Sequence, residues 1–261
     1  MKIERKAITE FTVPAEAVRA AVARIDWARA KGDKTRPVYT GICLDVTSSK
    51  TVTAVATNGC ALTWYPLTER MDTIWTCEGF RGIRAAFPAG SLDLKGVKGD
   101  VTIKISADND RIYSDPEAAI STESGSSTIK LFHQMFPNWR GVVPEKFCGA
   151  FIINDDLRRV LRDAEKKENR ANADADVVIR FRDSQVEVAG CYGAPFNRVV
   201  PADILNDTEE DFSIIFRLRY IVPMLKAVKK GLIHCAVNDS VTPVQFTADG
   251  MYAVYIPVRL R

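Results

Sequence analysis

Apolar and polar residues alternate along this chain in short runs, and four of those runs pass directly into stretches with helical spacing. Strand candidates are Thr51-Val-Thr-Ala-Val-Ala56, Val101-Thr-Ile-Lys-Ile105, Arg111-Ile-Tyr-Ser114, Val177-Val-Ile-Arg-Phe181, Val186-Glu-Val-Ala189 and Val244-Gln-Phe246. Turn-forming clusters bound them, among them Asp108-Asn-Asp110, Ser121-Thr-Glu-Ser-Gly-Ser-Ser127, Asp183-Ser184 and Ala248-Asp-Gly250, which favours antiparallel meanders over long crossovers. Four openings read as a strand followed at once by a short helix: Phe11-Thr-Val-Pro-Ala-Glu-Ala-Val18, Ala85-Ala-Phe-Pro-Ala-Gly-Ser-Leu92, Phe151-Ile-Ile-Asn-Asp-Asp-Leu157 and Ile214-Ile-Phe-Arg-Leu-Arg-Tyr-Ile221. With Val18, Leu92, Leu157 and Ile221 in equivalent places, the openings recur roughly 65 to 75 residues apart, the mark of an internal repeat. Each repeat then reads strand, helix and several strands, an α+β pattern. Pro14 and Pro88 suit a first helical turn, and Asn154 with Asp155 and Asp156 forms an N-cap cluster. The boundary between the two pairs of repeats is expected near Glu145-Lys-Phe-Cys-Gly149, giving domains 1–145 and 146–261. The apolar strand Tyr252-Ala-Val-Tyr-Ile-Pro-Val-Arg-Leu260 would fray unless docked in a sheet or beside a groove.

The net charge is only +3, so the placement of charge matters more than its sum. On the helix after Asn154, Leu157, Val160, Leu161 and Ala164 form an apolar stripe, with Arg158, Arg159, Arg162 and Lys166 on the other side. The helix near Leu218 repeats the arrangement, with Ile221, Met224, Leu225 and Val228 inward and Arg219, Lys226 and Lys230 outward. Ser213 to Val237 holds five Lys and Arg and no Asp or Glu. Two successive basic faces suit a surface that follows a phosphate backbone without reading bases. In the first half, Lys95 and Lys98 follow the second opening, while Arg19, Arg24 and Arg29 scatter around the first helix.

Length and composition add bounds. With 261 residues and 46% apolar residues the chain can bury a proper core, and no apolar run approaches the ~20 residues that cross a bilayer. The six cysteines lack a Cys-x-x-Cys pair and no signal-peptide pattern opens the sequence, so reduced thiols in a soluble cytoplasmic protein are expected. His133 and His234 have no carboxylate or cysteine at a metal-ligand spacing, so no metal is expected. No phosphate loop, nucleophile elbow or zinc-protease motif is present, and pairs such as Glu209-Glu210 read as loop residues. A non-enzyme without a cofactor is the expectation; an enzyme of nucleotide metabolism built from scattered carboxylates is the weakest class.

Four segments taken in order resemble the bacterial DNA polymerase III β sliding clamp family. They are Ala56-Thr-Asn-Gly-Cys-Ala-Leu62, Phe136-Pro-Asn-Trp-Arg-Gly-Val-Val-Pro144, Asn238-Asp-Ser-Val-Thr-Pro-Val-Gln245 and Val254-Tyr-Ile-Pro-Val-Arg-Leu260. The resemblance covers the family's middle and C-terminal domains, so a shortened form is expected. It implies a clamp fold with helices lining a ring around duplex DNA and antiparallel sheets outside. Bacterial clamps close with two chains of three domains, whereas eukaryotic and archaeal clamps close with three chains of two, so two domains here imply a homotrimer joined at strand edges. The implied partners are double-stranded DNA, bound non-specifically, and short peptides of DNA polymerase and the clamp loader, in a nucleoid-associated protein. The groove carried over for those peptides comprises Tyr39, Thr57, Gly59, Leu62, Pro137, Val142, Val241, Val254, Tyr255, Ile256, Pro257, Val258 and Leu260. Cys60, Ala61, Gly141 and Pro243 depart from the family's His, Arg, Arg and Ser, and Arg261 follows the usual last leucine, which thins the groove's polar rim. Those departures, with the missing domain, also admit a clamp-fold decoy or regulator that binds such peptides, or a host clamp, without encircling DNA.

Overall fold

Strand β1 (Arg5–Pro14) buries Phe11 and Val13, and Pro14, at φ −58° and ψ 130°, carries the chain directly into α1 (Ala15–Ile25). Val18, Ala21 and Ile25 then fall one helical turn apart on the buried stripe. The computed structural model describes residues 5–68, 75–76, 80–108, 115–168, 175–182, 184–191, 196–204, 212–229 and 231–258. They form two compact units, Met1–Gly59 with Thr63–Pro137, and Cys60–Leu62 with Asn138–Arg261.

In the first unit the chain continues through β2 (Ile42–Val46), β3 (Val52–Thr57), β4 (Ala61–Thr68), β5 (Trp75–Thr76), β6 (Ile83–Phe87), β7 (Asp100–Asp108), β8 (Glu117–Thr122) and β9 (Gly125–Lys130). One sheet has the order β5-β1-β7-β8-β9, and β4-β3-β2-β6 are neighbours in another. β2 and β3 are buried at every position, as a strand covered on both faces must be. Phe11, Phe87, Ile103 and Ile105 fill the core, each worth about 1.5 to 3 kcal/mol for its burial.

The second expected helix is absent. Residues 88–99 run as turns instead, with Ser91 N bonded to Pro88 O (3.1 Å), Asp93 N to Gly90 O (3.0 Å) and Val97 N to Leu94 O (3.1 Å). Gly90, Gly96 and Gly99 take φ of 78°, 81° and 70°, left-handed values at which a right-handed helix cannot propagate. Leu92 and Leu94 are nevertheless buried, so the segment keeps the packing role of a helix without its backbone.

The second unit carries β10 (Gly149–Ile153), α2 (Asp155–Glu168), β11 (Asp176–Arg182), β12 (Gln185–Gly190), β13 (Asn197–Pro201), β14 (Asp203–Ile204), β15 (Phe212–Arg217), α3 (Leu218–Ala227), β16 (Ile233–Val237), β17 (Val244–Ala248) and β18 (Met251–Tyr255). Its sheets order as β13-β12-β11-β15 and β14-β10-β16-β17-β18, antiparallel in each pairing. Asn154 caps α2 as expected, its Oδ1 accepting the Leu157 amide at 3.0 Å. Asp249 and Gly250, at φ 54° and 74°, make the two-residue turn that sets Ala248 opposite Met251. Both openings of this unit are therefore strand then helix, and α2 packs on α3.

The final apolar strand is shorter than expected, ending at Tyr255, but the residues after it are tied down. Ile256 N donates to Cys60 O at 3.0 Å and Val258 N to Ile215 O at 3.2 Å. The ring of Tyr255 meets Phe216 edge-on at 5.5 Å, and Phe216 in turn lies 5.9 Å from Phe246. Arg111-Ile-Tyr-Ser114 falls outside the described residues.

Candidate nucleic-acid and peptide interfaces

Helix α2 sets its charged residues around the buried Leu157, Leu161 and Ala164, but not all of its cations turn to solvent. Arg158, placed outward by the helical period, is only 4% exposed. Its Nη1 donates to Val228 O at 2.6 Å and its Nη2 to Gly231 O at 2.7 Å, so it captures the carbonyls just past α3. Burial lowers its pKa, an effect opposed by Asp155. Arg162, also expected on the outer face, donates from Nη2 to Leu225 O at 3.0 Å. Both arginines thus close the C-terminal end of α3, which their long stems let them reach from the flank of α2. Arg19 on α1 reaches turn carbonyls in the first unit, its Nη1 donating to Leu94 O at 3.0 Å and Val97 O at 2.6 Å.

The remaining cations are exposed but accompanied. Arg159 Nη1 lies 3.4 Å from Asp156, Lys166 Nζ 3.5 Å from Asp163, and Lys226 Nζ 3.2 Å from Glu165. Arg219 stacks on Tyr220 at 4.7 Å and donates to its hydroxyl at 2.7 Å. Lys95 and Lys98 are exposed on the turns after β6 rather than on a helix. Lys230 lies outside the described residues. Lys167 and Arg198, which no local pattern in the sequence singles out, both approach the Phe196 ring, at 5.8 Å each. Nothing local relates them: one ends a helix and the other sits on a strand.

The expected peptide-groove residues divide by burial. In the second unit Leu62 (6% exposed), Val254, Tyr255 and Pro257 are packed inside, Val258 is half-buried, and Val142 (46%), Val241 (41%) and Ile256 (46%) are exposed. The pairing of Val244 with Tyr255 puts Val241 and Ile256 at the same end of the β17–β18 ladder. Asp239 Oδ1 holds the connecting turn by accepting the Val241 and Thr242 amides at 2.7 and 2.6 Å.

Arg217 forms a two-bond ion pair with Asp176 (2.9 and 3.3 Å), and its amide donates to the Tyr255 hydroxyl at 2.9 Å. Burial raises the pKa of the Tyr255 phenol beyond the tyrosine range. Burial, then a hydrogen bond with the Cys60 thiol, also raises that of Tyr220. Cys60 therefore serves here as a packed hydrogen-bond partner of Tyr220.

In the first unit Thr57 is buried and its Oγ1 accepts the Gly59 amide at 3.1 Å, with Gly59 at φ 89°. A side chain at Gly59 would meet Arg36, whose guanidinium lies 4.6 Å over the Tyr39 ring. Asp33 holds Arg36 by a 3.0 Å bond, and the Thr35 hydroxyl and the Arg36 amide bring its carboxyl down to about 2. Tyr39 faces Phe136 at 6.4 Å, next to the half-buried Pro137. Arg36 is thus a cation at this site that the motif resemblance did not supply. Leu260 lies outside the described residues. Among the described residues no cluster of His, Cys, Asp and Glu could hold a metal ion, and no helix is long and apolar enough to cross a membrane.

No protein-family model and no curated protein sequence matches this chain. Solved structures do. A DNA polymerase sliding clamp from Pseudomonas aeruginosa, with ligand, superposes with a TM-score of 0.81 at 18% identity, over 98% of this chain and 68% of that one. The DNA polymerase III subunit beta from the same organism gives 0.78 at 18% identity, over 96% and 66%. A sliding clamp of that organism bound to griselimycin gives 0.75 at 17% identity, over 96% and 65%. The chain spans about two thirds of the length of these structures, and across nearly all of its own length it has the α+β fold of the DNA polymerase III β sliding clamps.

Proposed function

We propose that this protein is a DNA sliding clamp, a topological tether and not an enzyme, whose residues 1–145 and 146–261 correspond to the middle and C-terminal domains of the β clamp. Fold alone does not carry a function. The observation that carries this one is that Arg159, Lys166, Arg219 and Lys226 stay exposed on α2 and α3 once the arginines that close α3 are set aside. Lys95 and Lys98 would add to them from the turns of the first unit. Such cations hold phosphates through exchangeable contacts and read no base, which permits sliding. Binding of polymerase and loader peptides in an apolar groove then makes repeated synthesis effectively intramolecular. In the second unit the exposed Val142, Val241 and Ile256, with the packed Leu62, Val254, Tyr255 and Pro257, supply apolar side chains for such a groove. A ring of six clamp domains takes three copies of a two-domain chain, in the cytoplasm around the nucleoid.

Retention on nicked circular DNA, lost on linearisation, is the deciding experiment, because only a closed ring slides off free ends. The double variant Arg159→Glu/Lys226→Glu is expected to reduce retention about tenfold, and each lost phosphate contact flattens the log-log salt slope by ~0.9. Light scattering should give three times the 29.0 kDa of one chain. Equal retention on circles and linear DNA, or a monomer at micromolar concentration, removes the encircling role. Ile256→Asp should abolish binding of a polymerase tail peptide without unfolding the protein, since the side chain is exposed.

One observation favours a second reading, a decoy or regulator that binds clamp-interacting peptides without encircling DNA. Arg159, Lys166 and Lys226 each sit beside a carboxylate, which weakens the field a phosphate backbone would meet. Peptide binding that survives in a monomer without DNA retention selects it.

A further inference from the structure

We propose that the second unit carries a phosphate-binding pocket at the C-terminal end of α2, formed by Lys166, Lys167 and Arg198. A cavity of about 270 Å³ opens there, lined by Val160, Asp163, Lys166, Lys167, Phe196 and Arg198. Phe196 is buried and forms the floor with Val160. Its ring faces two cations, the Lys167 ammonium and the Arg198 guanidinium, each 5.8 Å from the centroid. An aromatic face attracts both, and so offsets part of the repulsion of holding them together without neutralising either. The last turn of a helix favours cations as well, because its free carbonyls carry partial negative charge.

Charge then selects the ligand. Among the described lining residues Lys166, Lys167 and Arg198 stand against Asp163 alone, and that carboxylate lies 3.5 Å from Lys166. Lys167 and Arg198 give a point charge and a planar fork beside each other, a combination suited to the several oxygens of a phosphate. A metal ion would be repelled by the three cations. Arg198 adds a group from β13 to the cations of α2, so the strongest phosphate contact of this unit is a pocket rather than a stripe along the helix. In the clamp reading the phosphate belongs to the DNA backbone, and the inference rests on that reading only for this source.

The test uses the full chain and the variant Lys167→Glu/Arg198→Glu, both positions being exposed, with Lys31→Glu/Lys34→Glu, also exposed, as a control of equal net charge and thermal melts for folding. Two probes are titrated: a fluorescein-labelled 20-base-pair duplex by anisotropy across salt, and inorganic pyrophosphate by calorimetry. The expected result is an affinity for duplex at least about tenfold weaker in the double variant, a salt slope smaller by about 2, and loss of pyrophosphate heat. Arg198→Lys, which keeps the charge, should lose less. If the wild type binds no duplex but its pyrophosphate site vanishes in the variant, the pocket stands and the clamp reading falls. If both probes bind the variant as they bind the wild type, or if the wild type takes neither, the proposal is overturned.

Discussion

Helix α2 lies against a second helix, whereas α1 lies against a run of turns, and this is the main internal difference between two otherwise similar units. Both meet the same problem, a set of backbone carbonyls left open where the neighbouring segment ends. Both solve it with an arginine at the same repeat position: Arg158 follows Leu157 and Arg19 follows Val18, each reaching two carbonyls three residues apart. In the second unit the arginine is buried. In the first, the turns leave a cavity of about 380 Å³ between α1 and residues 88–95, lined in part by Val22, Ala23, Ile42, Pro88, Leu92 and Lys95. A polar anchor is therefore present in both units, although only one of them has the helix for it to close.

The largest effect should come from Arg158→Ala. Losing two charge-assisted bonds at a buried site should cost about 3 kcal/mol in urea melts, and lysine should not rescue it because it lacks the fork. Arg19→Ala, at a half-buried site, should cost only about 1 to 2 kcal/mol. Equal losses would end the distinction between the two units. Gly90→Ala should lower stability by about 1 kcal/mol, since φ is 78° where a side chain is strained although nothing lies within 4 Å. Ala23→Leu, which adds apolar volume beside the cavity, should raise the melting temperature by the equivalent of about 0.5 to 1 kcal/mol. A fall instead would mean that the cavity wall cannot accept the added methyls.

Smallest is the effect of Asp33→Asn in the first unit, a shift of direction only. The folded carboxyl sits at about 2, below its unfolded value of 3.8, so its contribution is full above pH 4 and fades as pH falls through 2. Wild type and variant should differ at pH 7 and converge near pH 2; a difference that persists in acid would assign the effect to shape rather than charge.

Features set by a few adjacent residues were legible in the sequence. The Asn154 cap, the Asp249-Gly250 turn and the buried stripes of α2 and α3 all stand where the local pattern placed them. Ser121 to Ser127, read as one turn, is instead the tip of the β8–β9 hairpin, with Thr122 opposite Gly125. Its glycine and glutamate disfavour strands, and pairing with β7 supplies what composition does not. The basic faces were half right. Helical period placed Arg158 and Arg162 away from the apolar stripe, but their partners lie 70 and 63 residues further along the chain. Cations that point to solvent and cations that turn back look alike in sequence.

The sequence by itself determined the alternation of strand and helix, the caps and turns, and which side of each helix is apolar, because those preferences act over one or two turns of backbone. Only the tertiary structure decided that residues 88–99 forgo a helix, that two arginines of α2 close α3, and that Lys167 and Arg198 meet over Phe196. The last two depend on a partner far along the chain, whose carbonyl or ring becomes a neighbour only when the sheets have assembled.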